Sequence, residues 1–306
     1  MLQLNVQDEV SRLRAVVLGT AVNNGPTPSP EEAYDPKSLE HILAGTYPLE
    51  KDMIPEMEAF KAVFEKYDVQ VFRPEVIENC NQIFTRDIAF VIDDLFIKSN
   101  ILPDRERELE AVKYVIDQIS PEKIIKPPEK VHVEGGDVML WNDHILVGTY
   151  KGKDYPDHVT ARTNMHGVAF LKELFPNKTV KEFDLIKSKT EAKDNALHLD
   201  CCFQPVGINK AIIYEGGFRS KADYNYLVDL FGSDNLFHIT RDEMYSMFSN
   251  VFSIAPDVVV SEKKFSRLND WLRLEGFTVE EIPYAEIAKQ EGLLRCSTLP
   301  LIRDKS

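Results

Sequence analysis

Four times along this chain, two short β-forming runs are joined by a tight turn and followed by an amphipathic stretch and one more short strand. The first copy starts with "IAFVIDDLFIKS" (88–99) and the second with "DVMLWNDHILVGT" (137–149). The third starts with "CFQPVGINKAIIYE" (202–215) and the fourth with "VFSIAPDVVVSE" (251–262). Asn, Asp, Gly and Pro between β-branched and aromatic runs are hairpin signals. The stretches that follow, at 105–119, 158–175, 221–232 and 264–276, have helical spacing. In the first of them Leu109, Val112, Val115 and Ile116 fall on one face. Closing strands are expected at "KIIKP", "VKEFDLI", "LFHIT" and "FTVEEIPY". The N-terminal part supplies a fifth copy: "RLRAVVLGT" as strand, "MIPEMEAFKAVFEKY" as helix and "VQVFRPE" as closing strand.

Units of this kind close into a ring or stack into a solenoid. Across 306 residues, five units of some 50 residues each suit a closed five-bladed α/β arrangement. Periodicity alone leaves an open α/β sheet standing beside it. The segment 20–48 fits no unit. It is rich in Pro, Asn, Gly and Ser and reads as a long loop with a helical turn near Ser38–Leu43. A loop of that length in a compact domain suits a lid or a binding loop. The whole of 1–306 is read as one catalytic domain.

Acidic residues outnumber basic ones, 50 to 36, for a formal charge of −14. Such a chain repels phosphate backbones, and no basic run offsets this, so nucleic acid is not the expected partner. No apolar run approaches the roughly 20 residues that span a bilayer, and the first ten residues do not resemble a secretory signal. Cys80, Cys201, Cys202 and Cys296 form no CxxC pair, so a reducing cytoplasmic location is expected. Exposed blade edges would suit a homodimer.

Polar motifs stand at the strand ends of successive units: "NQIFTRD" (81–87), "HVEGGD" (132–137), "LHLD" (197–200) and "RCSTLP" (295–300). Each has an ordinary structural reading. Asp87 beside Arg86 could be a surface ion pair. Glu134 could begin a turn in which Gly135 and Gly136 take positive φ. Cys296 could be a buried apolar thiol. Ring closure would instead bring Asp87, Glu134, His198, Asp200 and Cys296 to one mouth. A thiol nucleophile needs a partner that moves protons, and His198 can supply it. Three carboxylates around a thiol make sense for a cationic guest. A guanidinium is planar, permanently charged and rich in N–H donors. His132, His144, His158, His166 and His238 lack such neighbours and read as surface or packing residues. Cys201 and Cys202 read as core.

As an ordered set, "NQIFTRD", "VEGGD", "HLD" and "RCSTLPLIR" resemble the guanidine-modifying superfamily of arginine deiminases, dimethylarginine hydrolases and amidinotransferases. The resemblance runs from about residue 10 to the end. It implies the pentein fold, an α/β-propeller of five ββαβ units around a pseudo-fivefold axis. It implies Cys296 as nucleophile, His198 as general acid/base and Glu134 as the acid beside it. Asp87 and Asp200 match the carboxylates that grip the guanidinium. Asn81 and Arg105 match positions near a substrate α-carboxylate, which favours arginine as the guest. Arg295 matches the deiminase pattern beside the thiol and is grouped with the substrate-binding residues.

The implied chemistry passes through a covalent thiouronium on Cys296, with no metal or organic cofactor. Water as second nucleophile gives a ureido product such as citrulline; an amine acceptor makes the enzyme an amidinotransferase. "FTRD" and "RCSTLPL" favour the hydrolase, whereas the N-terminal portion through "FRPE" is more similar to the transferases. A non-catalytic binding protein on the same ring would lack this residue set. A metal-dependent hydrolase would have to use His198, Asp200 and Glu134.

Overall fold

A computed structural model of the chain describes residues 1–305. Its fifteen strands form five sheets of three. Strands β1 (Leu13–Leu18) and β2 (Gln70–Phe72) begin the chain, followed by β3 (Ala89–Ile92), β4 (Leu95–Lys98) and β5 (Ile124–Ile125). Then come β6 (Val138–Trp141), β7 (His144–Thr149) and β8 (Thr179–Asp184). They are followed by β9 (Phe203–Val206), β10 (Lys210–Ile213) and β11 (Leu236–His238). The last four are β12 (Phe252–Ala255), β13 (Val258–Glu262), β14 (Thr278–Ile282) and β15 (Thr298–Arg303).

Four sheets repeat one pattern: an antiparallel hairpin whose second strand also pairs in parallel with the closing strand. The hairpin turns fall where the turn residues predict them. Asp93, Asn142 and Gly207 sit there at φ of 55°, 51° and 59°, the left-handed conformation such turns require. The fifth sheet is assembled from both ends of the chain. β15 pairs antiparallel with β1, and β1 pairs in parallel with β2. The last strand therefore supplies the hairpin partner that the N-terminal copy lacks in sequence, and the ring closes through it. This is the expected α/β pentein arrangement.

The helices are α1 (Pro36–Leu43), α2 (Glu50–Lys66), α3 (Thr85–Ile88), α4 (Arg107–Glu110) and α5 (Lys113–Ile116). They continue with α6 (Met165–Leu174), α7 (Lys221–Phe231), α8 (Arg241–Tyr245) and α9 (Ser266–Leu274). Two depart from the sequence expectation. The stretch 105–119 is not one helix but a 3-10 turn plus α4 and α5, with Val112 leaving helical geometry between them at φ −107° and ψ 10°. Arg105 and Glu108 lie on the apolar face and are buried with it, which hydrophobic periodicity alone does not register. The stretch 158–175 is helical only in α6, because the Asn164 side chain accepts from Gly167 N and caps the helix there.

Two apolar clusters fill the space between sheets and helices. In one, Phe60 of α2 stacks on Phe64 at 4.5 Å and meets Phe252 and Tyr284 edge-on. In the other, Leu299 and Leu301 of β15 are buried with Val17 and Phe96. The segment 20–48 carries a 3-10 turn at Pro30–Glu32 and α1, capped by Asp35, whose Oδ1 accepts from Ser38 N at 2.6 Å. No helix among the described residues is long and apolar enough to cross a membrane.

Leu301 is fully buried on the strand that closes the ring. Leu301→Ala is expected to cost about 2–5 kcal/mol of unfolding free energy. Urea denaturation measures it; a cost under about 1 kcal/mol would contradict the assigned packing.

Candidate active site

Short turns at the entrances of the first strands carry the polar motifs. α3 precedes β3, Gly135–Asp137 precedes β6 and Leu199–Cys201 precedes β9. Cys296 stands two residues before β15, as Asp87 stands two before β3. Ring closure turns these equivalent positions inward. One cavity of about 680 Å³ is lined by Cys296, His198, Asp87, Asn81 and Arg105, together with much of the 24–47 segment. Glu134 and Asp200 lie directly behind the lining, bonded to its members.

His198 Nε2 lies 2.8 Å from Glu134 Oε2, and its Nδ1 lies 3.8 Å from Asp87 Oδ1. Burial pulls the imidazole pKa down, but Asp87 and Glu134 outweigh it and leave it raised above the ordinary 6.5. Burial works against Glu134 as well, yet Arg162 and the bond to His198 hold its carboxyl down at about 2. Arg162 Nη1 reaches Glu134 Oε2 at 3.3 Å, and its Nη2 donates to Tyr34 O at 3.0 Å, tying the loop to the site. His198 thus contributes stability that is full below pH 6.5 and fades as pH rises through its raised value. Glu134 contributes above pH 4.5 and loses its contribution as pH falls toward 2.

Cys296 Sγ lies 3.6 Å from Asp200 Oδ2 and accepts from Asn250 Nδ2 at 3.2 Å. Burial first, then Asp200 and Asp87, push the thiol well above its ordinary 9.0. The free site therefore pairs a neutral thiol with an imidazole biased toward its cation. Asp87 Oδ2 accepts from Arg105 Nη1 at 2.9 Å, whereas its buried Oδ1 has no hydrogen-bond partner. A buried acceptor without a donor is costly, so this oxygen is ready for one.

The two glycines of "VEGGD" do not take positive φ. They are needed for close approach. A Cβ on Gly136 would stand 2.7 Å from the His198 ring, and one on Gly135 would stand 2.2 Å from Arg86 O. Arg86 and Asp87 are not a surface ion pair. Both are buried, and Arg86 turns to Arg295 O and Thr298 Oγ1.

Of three residues expected on the substrate, Asn81 and Arg105 line the cavity and Arg295 does not, and all three make contacts within the protein. Arg105 spans Asp87 and Glu108, the latter through both Nε and Nη2 at 2.7 and 2.9 Å. Asn81 donates to Gln290 Oε1 at 2.6 Å and accepts from Ile83 N. Arg295 is fully buried outside the lining, with Nη1 on Asp200 Oδ2 at 3.0 Å and its other nitrogens on Glu9 and the Val138 carbonyl. It meets Asp200 from behind the lining. Cys201 and Cys202 lie in the core.

The sequence reading passed over Asn250, Arg162, Glu108 and Glu9. Asn250 was findable: it stands two residues before β12, the offset shared by Asp87 and Cys296. Arg162 and Glu9 had no local signal, because their partners lie 28 and 286 residues away.

Among the described residues, Asp87, Glu134 and His198 are the set whose ligand atoms come within 4.8 Å of one another. Asp200, expected in any metal set, is not part of it. Both carboxylates already carry arginine ion pairs, so this set suits proton transfer better than a second cation. Glu134→Gln removes one of the carboxylates that raise His198 and is expected to lower the imidazole pKa. Histidine NMR titration checks this; an unmoved or higher value would contradict the pairing.

Known proteins are similar to this chain in sequence and in fold. A family model described as N,N dimethylarginine dimethylhydrolase, eukaryotic, matches residues 48–303. The uncharacterized Bacillus subtilis protein YkgA is 30% identical over 226 residues, covering 72% of this chain and 70% of that protein. An arginine deiminase of Listeria monocytogenes is 26% identical over 306 residues, covering 87% of this chain and 70% of the enzyme. Among solved structures, inosamine-phosphate amidinotransferase from Streptomyces griseus superposes with a TM-score of 0.77 at 16% identity, covering 100% and 98% of the two chains. The N-terminal domain of a cyanobacterial arginine dihydrolase gives a TM-score of 0.76 at 14% identity, covering 94% and 98%. By the extent of that family match and by its five-bladed ring, the chain belongs to the family described as N,N dimethylarginine dimethylhydrolase, eukaryotic, within the guanidine-modifying pentein superfamily.

Proposed function

We propose that this protein is a cysteine-dependent hydrolase of a guanidino compound. The observation that carries the reading is the unpartnered Asp87 Oδ1 in the same cavity as a neutral Cys296 thiol and a cation-biased His198. A guanidinium donating to Asp87 and Asp200 brings positive charge to the field that holds the proton on sulfur. The Sγ proton then leaves to water, and the thiolate forms a bond to the guanidinium carbon. As the C–N bond breaks, the departing amine takes a proton from the His198 imidazolium. A thiouronium remains on Cys296. Water then adds to its carbon and gives one proton to His198; as the C–S bond breaks, the remaining hydroxyl proton passes to Sγ and the carbonyl forms. The products are a ureido compound, the displaced amine and a restored Cys296. Glu134 stabilises the imidazolium throughout, in the bond it already makes.

An amine could replace water in the second half, so the test offers both. The full chain is incubated with arginine, methylated arginines and agmatine, each with and without glycine, beside Cys296→Ser. A ureido product formed without glycine, and lost in Cys296→Ser by at least about a thousandfold, is expected. An amidino product formed only with glycine would make the protein a transferase. Full turnover by Cys296→Ser would overturn the nucleophile.

A further inference from the structure

The fourth unit sends a residue of its own to the thiol. Asn250 stands two residues before β12, at the offset that Asp87 holds before β3 and Cys296 before β15. It is fully buried and lies outside the cavity lining. Its side chain meets Cys296 twice: Oδ1 accepts from Cys296 N at 3.2 Å, and Nδ2 donates to Cys296 Sγ at 3.2 Å. Nδ2 also reaches the Asp200 carbonyl at 3.4 Å, to which Ser249 Oγ donates at 2.8 Å. The Asn250 carbonyl accepts from Arg295 N at 3.4 Å. These partners fix the orientation of the amide. Turned over, it would set its oxygen against the Asp200 carbonyl and its NH2 against the Cys296 N–H.

The sulfur is thereby held between opposite partners. As a thiol it donates to Asp200 Oδ2 at 3.6 Å and accepts from Asn250. Once its proton leaves, the bond to Asp200 goes with it, and that carboxylate faces a second negative charge. The bond to Asn250 survives and strengthens, because a hydrogen bond to an ionised partner is roughly twice as strong as a neutral one. The same balance exists in the free protein. Burial, Asp200 and Asp87 push the thiol up, while the Leu293 backbone and the Asn250 side chain pull it back. An amide that only supported the chain would need no more than Oδ1 on Cys296 N. The donor on sulfur is what remains to be explained.

We propose, resting on the cysteine-hydrolase reading, that Asn250 is a catalytic residue whose Nδ2–H stabilises the charge on Sγ while sulfur forms its bond to the guanidinium carbon, and again while that bond breaks. Asn250 does for the thiolate what a fixed amide donor does for an oxyanion. The fourth unit then joins the first, second, third and fifth in supplying a group to the reaction.

Two variants of the full chain separate the donor from the support. Asn250→Ala removes both contacts with Cys296. Asn250→Asp keeps the size and the acceptor for Cys296 N but sets an oxygen where the donor was. In each, kcat is expected to fall at least about tenfold with KM held within about threefold, since Asn250 does not line the cavity. The pH midpoint of Cys296 alkylation by iodoacetamide, read by peptide mass spectrometry, is expected to move up in both. Ser249→Ala, which removes the other donor to the Asp200 carbonyl without touching sulfur, is expected to leave that midpoint in place. A loss of kcat below about threefold in Asn250→Asp would overturn this inference. So would a midpoint unmoved or lowered in whichever of the two variants folds, even if turnover is lost. Alkylation needs no substrate, so the two readings fail separately. An unmoved midpoint with guanidine turnover intact in the native chain overturns the role of Asn250 alone. No turnover of any guanidine by the native chain overturns the hydrolase reading on which that role rests.

Discussion

One buried guanidinium holds the axis of this ring. Arg295 is fully excluded from solvent, and its donors reach three parts of the chain. It bonds Glu9 near the N-terminus, the carbonyls of Gly135, Gly136 and Val138 in the second unit, and Asp200 in the third. It also sits next to Cys296 on the approach to the last strand. A charge buried that deeply persists only when it is paired and hydrogen-bonded throughout, and breaking such a pair typically costs about 3–5 kcal/mol. The bond that closes the fold therefore also fixes the carboxylate beside the thiol. Fold and site share the same atoms here.

The rest of the site follows from how the carboxylates are neutralised. Asp200 is half-satisfied by Arg295, Glu134 by Arg162 and His198, and Asp87 by Arg105. Each arginine takes one face of its acid. What remains is a thiol kept neutral by burial first and then by Asp200 and Asp87, and an Asp87 oxygen without a hydrogen bond. On the proposed function, such a site is poorly suited to an anion and is activated by the arrival of a cation. The logic is electrostatic, and it makes the charge of the guest part of the catalytic apparatus.

Much of this was legible in the sequence, for physical reasons that can be named. The hairpins were legible because positive-φ turn positions select Asp93, Asn142 and Gly207, and because strands alternate with amphipathic stretches. The core of the site was legible because Asp87, Glu134, His198, Asp200 and Cys296 all stand at strand entrances of a repeated unit. What was not legible depends on long-range pairing. The ion pairs of Arg105 with Asp87 and Glu108 are one such case. Arg295 resembles an active-site cation until Glu9 is found 286 residues away. The roles of Gly135 and Gly136 reversed for the same reason. Their neighbours, Arg86 and His198, come from other units, so what looked like a turn requirement is a packing requirement.

The central claim is that Cys296 forms a covalent bond to a guanidinium carbon. Its most direct test is rapid acid quenching during turnover of a guanidine, followed by peptide mass spectrometry of all four cysteines. The account predicts an amidino-type adduct on Cys296 that decays as product forms, with Cys80, Cys201 and Cys202 unmodified. Product formation with the adduct on another cysteine, or with no thiol adduct under conditions that trap steady-state intermediates, would contradict it.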